Sequence, residues 1–192
     1  MSPHVARGSA RAAVAREKLV RAAASLIPEL GWGSVSTRTL AERAGVPAGL
    51  VHYHFASVTD VLSEAAVAAV RDLLDAVLAE LADLAPPAGV DRLFRALDPL
   101  SGTDPASLLV AEAYLAATRD ERLRADLHGQ LHRFRSGVAG WLAGHGVAEP
   151  DAVAAMLAAA LDGVVLHRAL GPGPGADALV PVAQRLLDGG DR

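Results

Sequence analysis

The chain has 192 residues, no cysteine and a formal net charge of −4 at pH 7. Its length fits one compact unit or a small domain fused to a larger body. The absence of cysteine excludes disulfides, thiolate metal sites and cysteine nucleophiles, and is compatible with a reducing cytosol. Residues 1–9 lack the apolar segment of a secretory signal peptide, so we expect a cytoplasmic protein.

The charge is divided unevenly along the chain. Residues 1–60 carry seven basic side chains against four carboxylates, a net charge of +3, whereas the remainder carries eleven against eighteen, a net charge of −7. A basic end on an acidic body is typical of a protein that attracts phosphate at one end only. Chance asymmetry in a short segment is the alternative interpretation.

The composition predicts an all-helical fold. Hydrophobic residues make up 52% of the chain but aromatic residues only 4%, and alanine, the best helix former, supplies much of the apolar content. No run of alternating apolar and polar residues predicts a strand. We therefore expect an all-α protein with a three-helix N-terminal head, residues 1–57, and a C-terminal body of about six helices, residues 58–192.

The first helix is predicted at about residues 10–30. Gly31 is a natural C-terminal stop, and Pro28 is expected to kink or loosen the final turn because it lacks an amide donor. The apolar positions recur at three- and four-residue spacing, which predicts one buried stripe. These positions are Leu19, Ala23, Leu26, Ile27 and Leu30.

Two short helices follow. Ser36 is a good N-cap for a helix over residues 37–44, Gly45 permits a tight turn, and Pro47 suits the first position of a third helix over residues 48–55. Two short helices joined by a glycine-containing turn form the helix-turn-helix pattern. The third helix is expected to bury Val46, Val51 and Phe55.

The rest of the chain predicts six further helices, at about residues 59–84, 90–97, 105–118, 121–143, 150–170 and 177–187. Ser57 or Thr59 is the expected cap of the first of these. The sequence of residues 171–175, Gly-Pro-Gly-Pro-Gly, cannot be helical, so the last two helices are expected to form a hairpin. Asp162, His167 and Arg168 interrupt the apolar segment before this linker, and charges in a bilayer are costly. A buried or dimer-forming helix is therefore favoured over a membrane span.

Six short segments between residues 19 and 62 form one continuous pattern: Leu19 to Ala23, Leu30 to Trp32, Ser36 to Ala41, Ala44 to Val46, Gly49 to Phe55, and Leu62. In these segments the chain resembles the tetracycline-repressor (TetR) family of bacterial regulators. The resemblance keeps the family's spacing without a gap, which makes it more specific than a glycine-turn helix pair alone.

The resemblance implies a homodimer whose heads bind double-stranded DNA and whose bodies bind a small molecule. In similar proteins the third helix enters the major groove, and the start of the second contacts phosphate. Arg38 is expected to reach a base edge or phosphate, and Thr37, His52 and Tyr53 to contact phosphates. Carried over by position, the DNA-binding residues are Thr37, Arg38, Ala48, Gly49, Leu50, His52 and Tyr53.

Two positions depart from the family pattern. His52 stands where relatives usually have tyrosine, and Val58 stands where they usually have lysine at the entry to the fourth helix. One phosphate anchor is therefore expected to be missing. The basic side chains of Arg7, Arg11 and Arg16 are expected to compensate.

The predicted function is a ligand-responsive DNA-binding transcriptional regulator, a repressor that a small molecule releases from a pseudo-palindromic operator. The homodimer is expected to form through the last two helices, residues 150–170 and 177–187. The alternative is a helical small-molecule-binding or adaptor protein without DNA binding. No nucleophile elbow, phosphate-binding glycine loop or zinc-binding helix motif is found, so neither an enzyme nor a cofactor is expected.

The residues expected to line the effector pocket are Leu74, Leu109, Glu112, His128, Leu131 and Asp162. For Asp162 a structural role in helix packing is favoured over a ligand contact. Polar side chains on the central helices either line the pocket or lie on the surface: Glu112, Tyr114, His128, Arg135 and His167.

No metal site is expected. His52 and His54 lie two residues apart on a helix and point in different directions. His128 and His132 share a helical face but lack a neighbouring carboxylate or cysteine signature. Trp32 is expected to fill the core of the head rather than to stack on a base.

Overall fold

The computed structural model describes residues 3–187, with side chains from residue 12 onward. Over this range the chain forms nine α-helices, a single 3-10 turn at Trp32–Ser34 and no strand, which confirms the all-α prediction. In chain order the helices are α1 Pro3–Leu30, α2 Thr37–Ala44, α3 Gly49–His54, α4 Val58–Leu81, α5 Pro86–Arg95, α6 Pro105–Ala117, α7 Glu121–Gly144, α8 Pro150–Arg168 and α9 Ala176–Gln184.

The first helix is longer than predicted and tolerates its proline. It begins at Pro3 instead of near residue 10 and continues through Pro28 to Leu30. The amide of Gly31 still donates to the carbonyl of Ile27 at 3.0 Å, and Gly31 then turns the chain with φ of 79°. The predicted stripe is buried except for Leu30, which is 39% exposed.

The boundary between α4 and α5 differs from the prediction. The sequence predicted one helix over about residues 59–84 and the next from about residue 90. Instead α4 ends at Leu81, and the two prolines form the first turn of α5 after an extended Ala85. The first amides of a helix have no intrahelical acceptor, so proline costs nothing there and its fixed φ favours the helical conformation.

The chain divides into two compact units. The first unit contains residues 1–69 and 108–124, and the second contains residues 70–107 and 125–192. Most of α6 packs in the same unit as α1 to α3. From this later segment Leu109, Ala113 and Leu123 are buried.

The second unit has its own apolar core, to which α5, α7, α8 and α9 contribute together with Leu81 at the end of α4. Trp141 of α7 donates from Nε1 to the carbonyl of Leu84 at 2.8 Å, and its ring lies where a Cβ on Gly89 would stand. The buried core residues on these four helices are Val90, Leu93, Phe94, Phe134, Val138, Ala139, Leu142, Ala154, Leu157, Ala158, Ala176, Val180 and Ala183.

The C-terminal end of α8 is held by the segment that follows α5. The guanidinium of Arg168 donates to the carbonyls of Leu97 and Leu100. Close by, Gly102 adopts φ of 82°, and a Cβ at this position would lie 2.3 Å from the backbone nitrogen of Ala169. Glycine is therefore needed at residue 102 both for its conformation and for close backbone packing.

Candidate nucleic-acid interface

The start of α2 is fixed by a reciprocal capping arrangement. The hydroxyl of Ser36 accepts from the amide of Thr39 at 3.2 Å, and the hydroxyl of Thr39 accepts from the amide of Ser36 at 2.9 Å. The predicted cap is thus confirmed, with threonine in place of the glutamate or glutamine that usually completes a capping box. This arrangement presents Thr37 and Arg38 in the first turn of α2.

The turn after α2 depends on Gly45. This residue adopts the left-handed conformation with φ of 64°, and its amide and that of Val46 donate to the carbonyls of Glu42 and Ala41 at 3.2 and 3.1 Å. Such bonds satisfy the last carbonyls of a helix. The connection between α2 and α3 is therefore rigid and short, as a helix-turn-helix requires.

The third helix is shorter than predicted, from Gly49 to His54, but is anchored as expected. Val51 is fully buried and Phe55 is 7% exposed, whereas Val46 is only partly buried. The amide of Leu50 donates to the carbonyl of Pro47 at 2.9 Å. Pro47 therefore lies in the turn that precedes α3, and the side of α3 opposite Val51 faces outward.

The structure exposes most of the residues predicted to bind DNA. Ala48, Gly49 and His52 are exposed and Tyr53 is 75% exposed, whereas Thr37 and Leu50 are half-buried. The hydroxyl of Thr37 lies 3.5 Å from Nε2 of His52, which brings two of the three predicted phosphate ligands together. A Cβ on Gly49 would meet nothing within 4 Å, so the start of α3 permits close approach of a base edge.

The arginines of this part of the chain are electrostatically compensated. Every arginine between residues 12 and 69 has a carboxylate partner: Arg16 with Glu64, Arg21 with Glu17, Arg38 with Glu42, and Arg43 with Glu29. Counting charges along the sequence missed this pairing. The i,i+4 spacing of Glu17 with Arg21 and of Arg38 with Glu42 was a readable signal, but the other two pairs require the fold.

Arg38 illustrates the consequence for DNA binding. Its Nε donates to the carboxylate of Glu42 at 2.8 Å while 86% of its side chain is exposed. The hydrogen bond to Glu42 and the attraction between the two charges raise the pKa of Arg38. Glu42 accepts from Nε, so the two terminal nitrogens of the guanidinium remain available to an incoming acceptor.

Arg16, which was expected to compensate for the missing phosphate anchor, has partners within the first unit. Its guanidinium contacts both carboxylate oxygens of Glu64 on α4, and its central carbon lies 4.9 Å from the ring centre of Phe55. These contacts tie α1 to the end of α3 and to α4, so Arg16 is a structural residue of the first unit. The side chains of Arg7 and Arg11 lie outside the described residues.

The predicted pocket residues are distributed over both units. Leu109 and Glu112 belong to the first unit, and the other four belong to the second. Leu109 is buried, Leu74 and Leu131 are partly buried, and His128 and Asp162 are exposed.

Glu112 has a partner that the sequence did not reveal. Its Oε2 accepts from the amide of Trp32 at 2.8 Å, across 80 residues of sequence. Trp32 itself is partly exposed and does not fill the core as predicted. It lies in the 3-10 turn that follows α1. The carboxylate of Glu112 therefore fixes this turn to α6 through the main chain.

Two descriptions of known families match the chain. "Bacterial regulatory proteins, tetR family" matches residues 19–65, and "Tetracyclin repressor-like, C-terminal domain" matches residues 86–189. The two matches are consecutive and together include all the helices from α2 to α9 except the middle and end of α4. The second match alone covers more than half of the chain.

Solved structures agree with these matches over nearly the whole chain. A protein of Streptomyces coelicolor A3(2) described as a transcriptional regulator is 30% identical, with a TM-score of 0.75 over 90% of this chain and 98% of its own. The multidrug binding protein EbrR, crystallised with imidazole, is also 30% identical, with a TM-score of 0.68 over 92% of each chain. A regulator of Saccharomonospora viridis in complex with choline is 23% identical, with a TM-score of 0.74 over 91% of this chain and 96% of its own, and this likeness concerns the fold alone.

A curated relative matches a shorter part of the chain. The regulator BetI of Stenotrophomonas maltophilia is 34% identical over 70 residues, which is 36% of this chain and 36% of BetI. The matched part thus spans little more than a third of that relative's length. Together with the two domain matches and the solved structures, this shows that the chain belongs to the TetR family, a family of ligand-responsive DNA-binding transcriptional regulators and not of enzymes.

Proposed function

We propose that the protein is a cytoplasmic repressor that binds a pseudo-palindromic operator as a homodimer and leaves it when a small molecule binds. The observation that carries this proposal is the outward face of α2 and α3, which exposes Arg38 and Tyr53. Ser36 caps the start of α2, and Gly45 forms the turn that leads to α3. Two such faces in a symmetric dimer would meet successive major grooves, roughly 34–36 Å apart.

In this proposal α3 enters the major groove with its small N-terminal residues, Ala48 and Gly49, against the base edges. Leu50, half-buried, contributes an apolar contact at the edge of this face. Arg38 exchanges its bond with Glu42 for a guanine or a phosphate, since two parallel guanidinium donors match the guanine acceptors. Thr37, His52 and Tyr53 bind phosphates and fix the register of the helix on the duplex.

The dimer is proposed to form through α8 and α9. The helix α8, Pro150–Arg168, is long and apolar enough to cross a membrane by length and composition, and only 17% of its most apolar window is buried within its own chain. A second copy of the chain would cover this surface. The large apolar side chains left exposed on or next to the two helices are Met156, Leu166, Leu170, Val182 and Leu186.

The effector is proposed to be a small organic molecule, in keeping with the imidazole held by the solved neighbour EbrR. In the second unit it would contact Leu74, His128, Leu131 and Asp162. The ligand can release DNA only to the extent that it binds the DNA-free state more tightly than the DNA-bound state.

Fluorescence anisotropy with labelled DNA from upstream of the protein's own gene tests the proposal. We expect saturable binding, weakened roughly 5- to 150-fold by Arg38→Ala if the side chain contacts a base. Arg21→Ala is the matched control, because it removes an exposed arginine with an i,i+4 glutamate partner from the same unit. Absence of binding to this DNA and to any duplex in a random-sequence selection would favour the alternative, an adaptor without DNA binding.

A further inference from the structure

Arg135 on α7 differs from the other described arginines because part of its guanidinium is buried without a hydrogen-bond partner. Between residues 12 and 187 four arginine side chains have neither a hydrogen bond nor an ion pair: Arg119, Arg122, Arg135 and Arg185. Arg119, Arg122 and Arg185 are exposed to water. Arg135 is not exposed, and its Nε is buried without an acceptor. A buried donor that has lost water and gained no partner is costly, so this side chain lacks an acceptor that something else must supply.

The position of Arg135 on α7 places it at the border between core and accessible surface. One turn and two turns toward the C-terminus, on the same helical face, Ala139 and Leu142 are buried. One turn and two turns toward the N-terminus, Leu131 is half-buried and His128 is exposed. Buried apolar residues and exposed residues therefore adjoin the guanidinium on one stripe of the helix.

No described carboxylate neutralises this charge. The neighbouring Arg133 has its own partners, Asp75 at 2.5 Å and Gln130 at 2.8 Å, whereas no carboxylate oxygen lies within ion-pair distance of Arg135 in the part of the chain with described side chains. Its two terminal nitrogens also lack partners but are not enclosed as Nε is. They are therefore accessible to a group that enters from the solvent side.

We propose that Arg135 binds the carboxylate of an amphipathic effector, whose apolar part lies along Leu131 and Ala139. The planar fork of a guanidinium fits the two oxygens of a carboxylate, and the fixed unpaired charge would repel a cationic ligand. This inference rests on the proposed function in that it names the chemical class of the effector. It extends that proposal because the sequence left open whether Arg135 lines the pocket or lies on the surface, and it assigned no ligand group to this residue.

Calorimetric titration of the full-length protein with sodium octanoate tests the inference, with octan-1-ol and octylammonium chloride as ligands of equal chain length. We expect saturable binding of octanoate and much weaker binding of the alcohol and the amine. Arg135→Gln should weaken octanoate binding at least about tenfold, the loss expected for one charged hydrogen-bonded pair. Arg185→Gln, at an exposed unpaired arginine, should leave it unchanged.

Arg135→Lys is a second variant, which keeps the positive charge but lacks the planar pair of donors of the guanidinium. Its octanoate affinity should fall between those of the wild type and Arg135→Gln, and circular dichroism verifies that each variant is folded. The inference is overturned if octanoate does not bind, if octylammonium binds as well, or if the affinity is the same with arginine, lysine and glutamine at residue 135.

The failure of this inference can be distinguished from the failure of the proposed function. Octanoate should release wild-type protein from its DNA and should not release the Arg135→Gln variant. If the protein binds DNA but not octanoate, the repressor proposal stands and the carboxylate site is wrong. If octanoate binds through Arg135 but no DNA is bound, the site stands and the repressor proposal is wrong.

Discussion

Arg38 and Glu42 form an ion pair one turn apart on α2, with 2.8 Å between Nε and the carboxylate. Since both side chains are mostly exposed, the pair contributes little to stability. In a DNA complex the same carboxylate would compete with the DNA for Arg38 and would repel phosphates.

We therefore expect Glu42→Gln to strengthen operator binding by about two- to fivefold at low salt, with a smaller gain at high salt because screening weakens the repulsion. Anisotropy titrations at two salt concentrations measure this. Glu17→Gln, which removes the corresponding partner of Arg21, should have a smaller effect. Weaker binding in Glu42→Gln would show instead that Glu42 holds Arg38 in the orientation that binds.

Glu112→Ala should destabilise the protein by about 1–2 kcal/mol, because the Trp32 amide loses a charged acceptor in a partly buried position. Glu112→Gln should cost less, since the amide oxygen can still accept. Thermal unfolding followed by circular dichroism measures both. Glu121→Gln is the control, because that side chain is 92% exposed. Equal melting temperatures for all three variants would contradict the structural role of Glu112.

The helix phases could be predicted from the sequence because they depend on local spacing. The buried side of α1, the Ser36 cap and the Gly45 turn each follow from residues within a few positions of one another. The long-range partners could not be predicted in this way. Arg16 meets Glu64 across 48 residues and Trp32 meets Glu112 across 80, and only tertiary packing brings such groups together.

The contrast between local spacing and long-range packing also explains what could not be predicted at the candidate interface and at the start of α5. Residue types predicted which side chains face outward on α2 and α3, but charge counting could not show that Arg16 and Arg43 were already neutralised by distant carboxylates. The beginning of α5 was predicted near residue 90 and not at Pro86, because a pair of prolines can either end one helix or form the first turn of the next. The extended Ala85, not the prolines, marks the boundary.

Gly102→Ala should destabilise the second unit by about 2–5 kcal/mol. The left-handed conformation costs a non-glycine residue about 1–2 kcal/mol, and the Cβ would lie 2.3 Å from the nitrogen of Ala169, which adds an overpacking penalty. The melting temperature should fall by about 5–15 °C. Gly146→Ala separates the two costs, because Gly146 has φ of 76° but open space around it. Equal losses at the two positions would mean that the close contact with Ala169 costs nothing.

Asp104 should make stability sensitive to acid. Burial raises the pKa of its carboxyl, but bonds from the hydroxyl and amide of Ser107 and from the amide of Ser101 outweigh this and lower the pKa below 3.8. A lowered folded-state pKa means that the contribution is complete above the unfolded value and is lost as the pH falls through the folded value. The stability difference between wild type and Asp104→Asn should therefore be constant from neutral pH to about pH 5 and should narrow below about pH 4. Denaturant unfolding at each pH measures it, and a difference that widens on acidification would contradict the assignment.

Leu166→Glu should dissociate the proposed dimer at micromolar concentration. The side chain is 60% exposed within its own chain, and a carboxylate placed in an apolar interface would lose its hydration without a partner. A glutamate at Leu161 on the same helix would not be an equivalent test, because Leu161 packs against the core of its own unit and the substitution would disturb folding. Sedimentation velocity measures the outcome, with Leu73→Glu on α4 as the control. A dimeric Leu166→Glu would place the interface elsewhere.

The packing of residues 108–124 with residues 1–69 limits how this protein can be recombined with its relatives. A fragment that ends at residue 57, or even at residue 69, would lack Leu109, Ala113, Ala117 and Leu123, all of which are buried, and would lack the carboxylate that holds Trp32. A chimera with altered operator choice must therefore exchange most of α6 together with α1 to α3. Transfer of the intact DNA-binding unit to another protein therefore requires two separate stretches of this sequence and not a single N-terminal segment.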